Sequence, residues 1–254
     1  MSCLIVGGGE LDTVWAQGFA AMHPDAMTIA CDSGIRFFRD IFECPDIFVG
    51  DFDSADPELV SYYEEKEQTL MHPLPVHKDV TDSEEALHIA LAAGCDPIYL
   101  IGMTGGRLDH TLGNIQMLRQ AARAGVRACL IDPLTRAYIV SADHPSGAVL
   151  SYASALETSD PIDTGIGEQQ MSEDRSEDLC ELRLHRDSAY GQYFSLVPIG
   201  GPVTGLTIKG AEYPLTDALL PGDNSLGISN QFADDEVAIS FRSGELLVIE
   251  SRDA

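Results

Sequence analysis

The sequence F-V-G-D-F-D-S spans residues 48–54 and joins an apolar run to two carboxylates. Asp51 and Asp53 stand two positions apart, and alternate side chains of an extended backbone leave it on the same side. Two anions held ~4 Å apart repel by about 1 kcal/mol in water and by about 4 kcal/mol at a protein-like dielectric constant. The pair therefore favours a cation between its members. A surface turn, in which each aspartate bonds nearby backbone N–H groups, explains the pair equally well.

Three further clusters are placed alike along the chain. They are Asp32 in D-S-G at 32–34, the sequence K-D-V-T-D at 78–82, and Arg107 with Asp109 in G-M-T-G-G-R-L-D-H at 102–110. Each cluster follows an apolar run that predicts a strand, and each lies before or at the start of a predicted helix. In a parallel sheet, ligands bind beyond the carboxyl ends of the strands. The clusters are therefore predicted to share one rim.

The fold class follows from the alternation of apolar strands with helices, which predicts a mostly parallel sheet with helices on both faces. Predicted strands lie at 2–6, 27–31, 46–49, 69–74, 97–101, 127–131 and 137–140. Predicted helices lie at 11–22, 35–41, 57–67, from 82 to about 93, and 108–124. The last helix is predicted to bury a stripe formed by Leu108, Leu112, Ile115 and Leu118.

Beyond about residue 142 the helical periodicity fades, and the sequence predicts an all-β, sandwich-like domain. Predicted strands lie at 148–153, 181–185, 193–197, 206–209, 236–241 and 246–250, the last two as an antiparallel hairpin around Ser243-Gly244. The predicted domains are therefore 1–142 and 143–254. Between Glu157 and Glu181, nine carboxylates accompany one arginine, a composition typical of a solvated insertion that can be disordered.

Composition excludes several classes of function. The formal net charge is −26 with three lysines, so binding to nucleic acid or to an anionic membrane is not expected. No apolar run approaches the ~18 residues that span a bilayer, and the first residues have no basic region of the kind found in signal peptides. Six cysteines without a C-x-x-C pair are typical of reduced thiols, which predicts a cytoplasmic protein.

The stretch 78–82 combines two readings that can coexist. Thr81 and Glu84 form a T-x-x-E capping box, and Asp82 in the first turn suits the helix dipole. Neither the capping box nor the helix dipole accounts for Lys78. A lysine beside a helix N-terminus can bind a phosphate. The chain has neither a G-x-x-x-x-G-K-[ST] nor a G-x-G-x-x-G motif, and a plain turn explains Gly7-Gly8-Gly9 as well as an anion site does.

The loop 102–110 is glycine-rich and leads into a helix. Arg107 offers a planar fork for phosphate oxygens, although Arg107 and Asp109 could equally form an exposed surface pair. His110 at the helix start is compatible with a structural or a functional role. Taken together, the acids of the rim are hard oxygen donors that select Mg²⁺, and with Lys and Arg they suit transfer of a phosphoryl-type group.

These motifs, in this order, resemble the thiamine pyrophosphokinase (thiamine diphosphokinase) family. The resemblance rests on D-S-G at 32–34, G-D-F-D-S at 50–54, K-D-x-T-D at 78–82 and G-x-x-G-G-R-x-D-H at 102–110. The sequences G-A-E-Y-P-L at 210–215, I-S-N-Q-F at 228–232 and the closing G-E-L-L-V-I extend it through the second half. Ser33, where the family often has glycine, and the insertion at 157–181 depart from the pattern.

The resemblance implies Mg²⁺-dependent transfer of the pyrophosphoryl group of ATP to the hydroxyl of thiamine, giving thiamine diphosphate and AMP. It also implies a homodimer with thiamine near the subunit interface. Asp51, Asp53 and Asp82 are expected to gather the metal and phosphates, supported by Asp32, and the triphosphate is expected to meet Lys78, Thr81, Arg107, Asp109 and His110. Thiamine is expected to meet Tyr213, Ser229 and Asn230.

Two alternatives stay open at this point. A pyrophosphokinase acting on a hydroxymethylpterin could use the same rim, although Ser229-Asn230 favours thiamine. A non-catalytic module that senses a nucleotide or thiamine is a second alternative. The intact set of Asp51, Asp53, Asp82 and Arg107 argues against it, because a sensor need not keep a complete transfer site.

Overall fold

The structure is a computed structural model that describes residues 1–52, 56–75, 79–142 and 179–253. These residues group into two units, Met1–Tyr138 and Ile139–Ala254. The predicted strand at 148–153 and nearly all of the acidic segment 157–181 lie outside the described residues.

Aliphatic runs in the first part of the chain form seven strands. Their bounds are β1 Cys3–Val6, β2 Met27–Cys31, β3 Ile47–Gly50, β4 Leu70–Pro73, β5 Ile98–Ile101, β6 Ala128–Ile131 and β7 Thr135–Ser141. The strands lie in the order β4-β3-β2-β1-β5-β6-β7, and every pairing among them is parallel except β6 with β7. The predicted mostly parallel sheet is confirmed.

Five helices connect these strands, and polar caps fix where three of them begin. Their bounds are α1 Thr13–Ala21, α2 Ile35–Asp40, α3 Pro57–Glu64, α4 Asp82–Ala92 and α5 Leu108–Arg123. The Asp12 carboxylate accepts the Trp15 N–H at 3.0 Å, and the Thr81 hydroxyl accepts the Glu84 N–H at 3.2 Å. Pro57 is the first residue of α3, where its missing N–H costs nothing. The predicted starts of α3 and α4 are confirmed.

The position of β1 fixes where a ligand can enter this sheet. β1 pairs with β2 on one side and with β5 on the other, so the chain leaves β1 toward one half of the sheet and returns later to build the other half. In open α/β sheets, ligands bind at such a switch in strand order, beyond the carboxyl ends of the strands.

The buried face of α5 differs from the predicted stripe. Of the predicted stripe, Leu118 is buried and Ile115 half-buried, whereas Leu108 and Leu112 are 70% and 54% exposed. Asn114, Met117 and Ala121 share the buried face with Leu118. The prediction counted only apolar residues and passed over Asn114, whose side-chain amide donates to the backbone oxygen of Met103 at 2.8 Å.

The second unit is built around one long strand. Its strands are β8 Cys180–His185, β9 Tyr193–Lys209, β10 Leu215–Leu220, β11 Asn230–Gln231, β12 Glu236–Phe241 and β13 Ser243–Ser251. The first part of β9 pairs with β11 and most of β13, and the last part pairs with β10 and β12. β9 thus belongs to two groups of strands, as happens where a strand passes from one sheet to another. The predicted α/β fold followed by a β-rich domain is confirmed.

The predicted hairpin of 236–241 with 246–250 is wrong. Both segments are strands, but β12 pairs with β8 and β9, and β13 pairs with β9. The two predicted strands at 193–197 and 206–209 are one continuous strand, and it lies between β12 and β13. Local alternation identified the strands here but could not identify their partners.

Burial controls the chemistry of the thiols. Cys3, Cys31, Cys95 and Cys129 are buried, and none of the six cysteines forms a disulfide. Burial raises the pKa of the Cys3 and Cys31 thiols well above the ordinary range, and it raises the pKa of Cys180 to about 11. Among the described residues, no helix is both long enough and apolar enough to cross a bilayer.

A half-buried histidine makes the first unit sensitive to pH. The His23 ring packs on Phe19 and Tyr99, with ring centroids 4.8 and 4.6 Å away, and within the described ranges its Nε2 is buried without a hydrogen-bond partner. Loss of solvent lowers the pKa of His23 from its ordinary value of 6.5. The folded chain therefore holds His23 neutral at pH values where the unfolded chain would protonate it.

We predict that His23→Phe removes part of the loss of stability in mild acid. Because the pKa of His23 is lowered by folding, its contribution is complete above about pH 6.5 and is lost as the pH falls below that value, at no more than about 1.4 kcal/mol per pH unit. Urea unfolding at about pH 7.5 and 5.5 measures this. The same change at an exposed histidine, His110→Phe, is the control, and equal pH dependence in both variants would contradict the prediction.

Candidate active site

Two glycine-rich loops meet at the carboxyl edge where the strand order switches. The Gly9 N–H donates to the Gly102 oxygen at 2.7 Å, and the Glu10 N–H donates to the Thr104 oxygen at 2.9 Å. A Cβ added at Gly9 would stand 2.3 Å from the Thr104 oxygen, so only glycine allows this approach. The glycines after β1 therefore hold the loop after β5 in place.

The loop after β2 lies against the end of β1. A Cβ at Gly34 would stand 2.2 Å from the Val6 oxygen, and the Ser33 hydroxyl lies 3.5 Å from the Gly8 oxygen. Asp32 begins a short 3₁₀ turn with φ of +50°, a left-handed conformation that aspartate tolerates better than most residues. The turn thus fixes a half-buried carboxylate at the rim.

Carboxylates from three segments lie at the ends of β2 and β3 and at the start of α4. Burial raises the pKa of the Cys31 thiol, and the charges of Asp82 and then Asp32 raise it further, so both acids act on one buried sulfur. The backbone nitrogen of Asp32 lies 3.7 Å from where a Cβ of Gly50 would stand, directly before Asp51. Asp32 thus lies beside the end of β3, and the sharing of one metal by Asp32, Asp51 and Asp82 stays a prediction.

The turn at the end of β3 holds a residue in an unusual conformation. Phe52, between the two predicted metal-binding aspartates, has φ of +58°, which is rare for an aromatic residue. Its ring packs on Phe48 with centroids 4.7 Å apart. Backbone strain of this kind persists where surrounding contacts hold it, and it clusters at functional sites. Asp53 itself lies outside the described residues.

The start of α4 places Asp82 at the rim. Thr81 caps the helix, and Asp82, Glu84 and Glu85 occupy the first turn, where negative charge is favourable. The Glu84 carboxylate accepts a hydrogen bond from Gln120 of α5 at 2.6 Å, which ties the two helices together. Lys78, predicted beside this helix start, lies outside the described residues.

Arg107 and Asp109 form an ion pair with each other at the start of α5. Arg107 Nε lies 3.1 Å from Asp109 Oδ1, and Nη2 lies 2.5 Å from Oδ2. The bond from Arg107 lowers the pKa of the Asp109 carboxyl, so this group is ionised at neutral pH. Both side chains are largely exposed, at 74% and 61%, and His110 beside them is exposed as well.

Two polar residues that were not predicted shape the same edge. Asn114 anchors the loop after β5 through Met103, and a polar residue on the inner side of an amphipathic helix is the signal that marks it. Asp132 directly follows β6, the placement that led to Asp32 and Asp51. Its Oδ1 accepts the N–H groups of Leu134 and Thr135 at 2.9 and 2.8 Å, and Thr104 Oγ lies 3.3 Å from its Oδ2.

The donor set at the rim is the one that a hard divalent cation prefers. Asp32, Asp51 and Asp82 offer carboxylate oxygens, without a histidine or thiolate as an exposed competitor in the same motifs. Within residues 1–52, 56–75, 79–142 and 179–253, no three His, Cys, Asp or Glu side chains lie close enough together to form a complete metal cluster. The predicted ligand set includes Asp53, which lies outside these ranges.

In the second unit, Asn230 holds Tyr213. The Asn230 side-chain Oδ1 accepts the Tyr213 N–H at 3.0 Å, and its Nδ2 donates to the Tyr213 oxygen at 2.9 Å. Asn230 is 3% exposed, whereas the Tyr213 ring is 63% exposed. The structure therefore gives Asn230 a bracing role, and its predicted contact with thiamine stays a prediction.

Ser229 lies beside this brace. It is exposed, its φ is +54°, and its N–H donates to the hydroxyl of Ser195 on β9 at 3.0 Å. The Glu212 N–H donates to the Gln231 oxygen at 2.9 Å, and Ala211 forms a bridge with Phe232. The segments that carry Tyr213 and Ser229 are thus hydrogen-bonded to each other.

Comparison with known families assigns both halves of the chain. The thiamin pyrophosphokinase catalytic domain matches residues 21–130, and the thiamin pyrophosphokinase vitamin B1 binding domain matches residues 180–246. The two matches follow the order of the motifs and together cover more than half of the chain. The chain belongs to the thiamine pyrophosphokinase family. The predicted family is confirmed, and with it the prediction that the protein is an enzyme.

Relatives of known name agree with this assignment to the thiamine pyrophosphokinase family. Thiamine pyrophosphokinase from Bacillus subtilis (strain 168) is 28% identical over 250 residues, which are 98% of each chain. A crystal structure of thiamine pyrophosphokinase from Bacillus subtilis is 25% identical, covers 100% of both chains and gives a TM-score of 0.75. The yeast thiamin pyrophosphokinase structure, 12% identical with a TM-score of 0.70 over 98% of this chain and 86% of that one, shares the fold.

We predict that Asn230→Asp destabilises this member of the thiamine pyrophosphokinase family. The change keeps the shape but replaces the donor facing the Tyr213 oxygen with a buried acceptor, which costs about 1–3 kcal/mol. Urea unfolding at neutral pH measures the loss. Asn224 is exposed and uses only its oxygen, which accepts the Leu226 N–H at 3.1 Å, so Asn224→Asp is the matched control and should change stability by less than about 0.5 kcal/mol. Equal losses in the two variants would contradict the assigned brace.

Proposed function

We propose that the protein is a thiamine pyrophosphokinase that transfers the pyrophosphoryl group of ATP to the hydroxyl of thiamine, giving thiamine diphosphate and AMP. One observation carries the proposal: the catalytic and vitamin B1 binding domains of that family both match, in order, on one chain. The curated relative from Bacillus subtilis, similar over 98% of both chains, bears the same name. Asp32 after β2 and Asp82 at the start of α4, whose charges both act on the Cys31 thiol, support a site for a metal–phosphate group.

We assign the nucleotide to the domain at 1–142 and thiamine to the domain at 143–254. The family resemblance supports a homodimer with thiamine near the subunit interface. A cytoplasmic location is supported by six cysteines that form no disulfide, since reducing compartments keep thiols reduced. No partner among nucleic acids or membranes is proposed, because the net charge of −26 opposes binding to phosphate-rich surfaces.

The rim acids have the chemistry of Mg²⁺ ligands. Asp51, Asp53 and Asp82 would hold the ion, and Asp32, fixed by its left-handed turn, would support them. When bound, Mg²⁺ neutralises charge on the triphosphate as it does in other phosphoryl-transfer enzymes. Two charges ~4 Å apart at an effective dielectric constant of 20 repel by about 4 kcal/mol. A bound cation would relieve this repulsion between the acids.

The phosphates of ATP would meet the helix starts on either side of this rim. Lys78 and Thr81 precede α4, and Arg107, Asp109 and His110 surround the start of α5. Arg107 is paired with Asp109 but exposed, so a phosphate can compete for its guanidinium in the same bidentate manner. The loops after β1 and β5 pack closely, so their backbone groups line the switch in strand order. Nucleotides bind at this position in related sheets.

Thiamine is an organic cation, and the second unit offers an exposed aromatic ring and an exposed hydroxyl. Tyr213 would supply the face of its ring, a contact of cation–π character, and Ser229 and Asn230 would supply polar contacts. A chain with a net charge of −26 also attracts a cation over longer distances.

Thiamine and ATP are the only two reactants that the transfer step requires. The hydroxyl oxygen of thiamine forms a bond to the β-phosphorus of ATP, the bond from that phosphorus to the oxygen of the α-phosphate breaks, and AMP leaves with this oxygen. The hydroxyl proton is released to the solvent. Because such transition states are loose, positioning and neutralisation of charge supply most of the catalysis.

We expect AMP to form from ATP only when both thiamine and Mg²⁺ are present. EDTA should stop the reaction, and excess Mg²⁺ should restore it, because carboxylates alone leave the triphosphate charge uncompensated. Chromatography of the nucleotides measures AMP directly. A hydroxymethylpterin alcohol in place of thiamine is the control substrate. AMP formed with the pterin and not with thiamine, or full activity in EDTA, would contradict the proposal.

We expect Asp82→Asn to lower kcat/KM at least ~100-fold, equivalent to about 2.7 kcal/mol of transition-state stabilisation. The fold should persist, because Thr81 still caps α4 and the lost dipole interaction is worth about 0.3–1 kcal/mol. Steady-state kinetics and thermal unfolding measure the two effects. Asp25→Asn, before the amino end of β2, is the control and should leave kcat/KM unchanged. If kcat/KM of the Asp82→Asn variant is within threefold of the original value, the metal-binding role of Asp82 is excluded.

A further inference from the structure

A β-bulge interrupts the pairing of the Ser229 segment with β9. Asn230 is paired with Phe194, and the Leu196 N–H donates to the Gly227 oxygen at 2.9 Å. Between these two points, two residues, Ile228 and Ser229, stand opposite the single residue Ser195. Two residues facing one is the definition of a bulge, and bulges beside functional sites redirect a side chain.

The hydroxyl of Ser195 supplies the contact that the bulge removes. An extra residue in a bulge has no backbone partner on the neighbouring strand, so its N–H must find another acceptor. The Ser229 N–H donates to Ser195 Oγ at 3.0 Å, and Ser195 is only 9% exposed. The side chain of Ser195, rather than the backbone of β9, therefore holds Ser229 against β9.

This contact also stabilises a conformation that serine rarely adopts. Ser229 has φ of +54°, a left-handed value that favours glycine over residues with a side chain. The result is that Ser229 and Ile228, which is 48% exposed, stand out from the strand into solvent. Neither side chain is buried in the described unit, so a bulge here has no evident value for packing.

We propose that Ser195 is a positioning residue for recognition of thiamine. It holds the bulge that presents the Ser229 side chain, while Asn230, one residue further, holds Tyr213. Ser195 lies beneath the surface and acts through Ser229. The inference rests on the proposed function, in which Ser229 contacts thiamine, and it adds the residue that sets the direction of that contact.

The test compares removal of the acceptor with matched changes. Ser195→Ala deletes the hydroxyl, Ser195→Cys keeps most of the volume with a weak acceptor, and Ser195→Thr keeps the hydroxyl. The control is Ser243→Ala, because the Ser243 hydroxyl lies 2.6 Å from that of Thr204 in the same unit and its loss also removes one hydrogen bond. KM for thiamine, KM for ATP and kcat are measured for each full-length variant, with amide hydrogen exchange at Ser229.

We expect Ser195→Ala to raise KM for thiamine about tenfold, to change KM for ATP less than twofold, and to speed exchange of the Ser229 amide about tenfold or more. For Ser195→Cys, KM for thiamine and the exchange rate of the Ser229 amide should lie between those of Ser195→Ala and the original enzyme. This variant keeps the test decisive if the alanine variant folds poorly. Ser195→Thr and Ser243→Ala should both keep KM for thiamine and the exchange rate of the Ser229 amide close to those of the original enzyme.

Three results would overturn the inference. An unchanged KM for thiamine in Ser195→Ala, in an enzyme that uses thiamine, would exclude the positioning role and leave the proposed function standing. Equal increases in both KM values, with lower stability, would show a structural role only. An original enzyme that neither binds thiamine in calorimetry nor uses it would overturn the proposed function, and the inference with it.

Discussion

Parallel pairing of β1 with both β2 and β5 is the constraint on which the site depends. Cys3 lies opposite Met27 on one side and Ile98 on the other, so the three strands point the same way and their following loops leave at one edge. Backbone contacts then lock these loops together: Gly34 lies against Val6, and Gly9 donates to Gly102. A side chain larger than hydrogen at Gly9 or Gly34 would push the loops apart, so the edge is set by the backbone itself.

On this frame, each acid of the rim is held by a different local device. Asp32 is fixed by a left-handed turn, and Asp82 by a helix start that Thr81 caps. Asp51 follows a strand that ends in glycine, next to a strained phenylalanine. The backbone thus sets the position of each acid, and a divalent cation would relieve any repulsion between them.

Much of the first unit could be predicted from the sequence, because its signals are local. Apolar runs four or five residues long, glycines at strand ends and a T-x-x-E box specify strands, turns and a helix start within a short window. The rim followed from one rule about strand ends, and the same rule applied to β6 would have found Asp132. On α5 the sequence predicted the burial of Leu118 but not of Asn114, because Asn114 is polar and its contact with Met103 is visible only in the structure.

The second unit was harder because its information is not local. The alternating pattern at 236–241 gave the strand bounds, but the choice of partner depends on residues far along the chain. Two separate strands were predicted at 193–197 and 206–209, yet β9 runs without a break from Tyr193 to Lys209. Likewise, a motif predicted that Ser229 and Asn230 contact thiamine, whereas their contacts with Ser195 and Tyr213 become visible only in three dimensions.

The length of β9 has a consequence for how the second unit assembles. β10, β11, β12 and β13 all hydrogen-bond to this strand, so each of them shares part of its backbone pairing with β9. Ser195 meets Ile249, a separation in sequence that makes closing the chain entropically costly and slows folding. The strands β1 to β4 of the first unit pair with near neighbours in sequence, so the larger entropic cost of chain closure falls on the second unit.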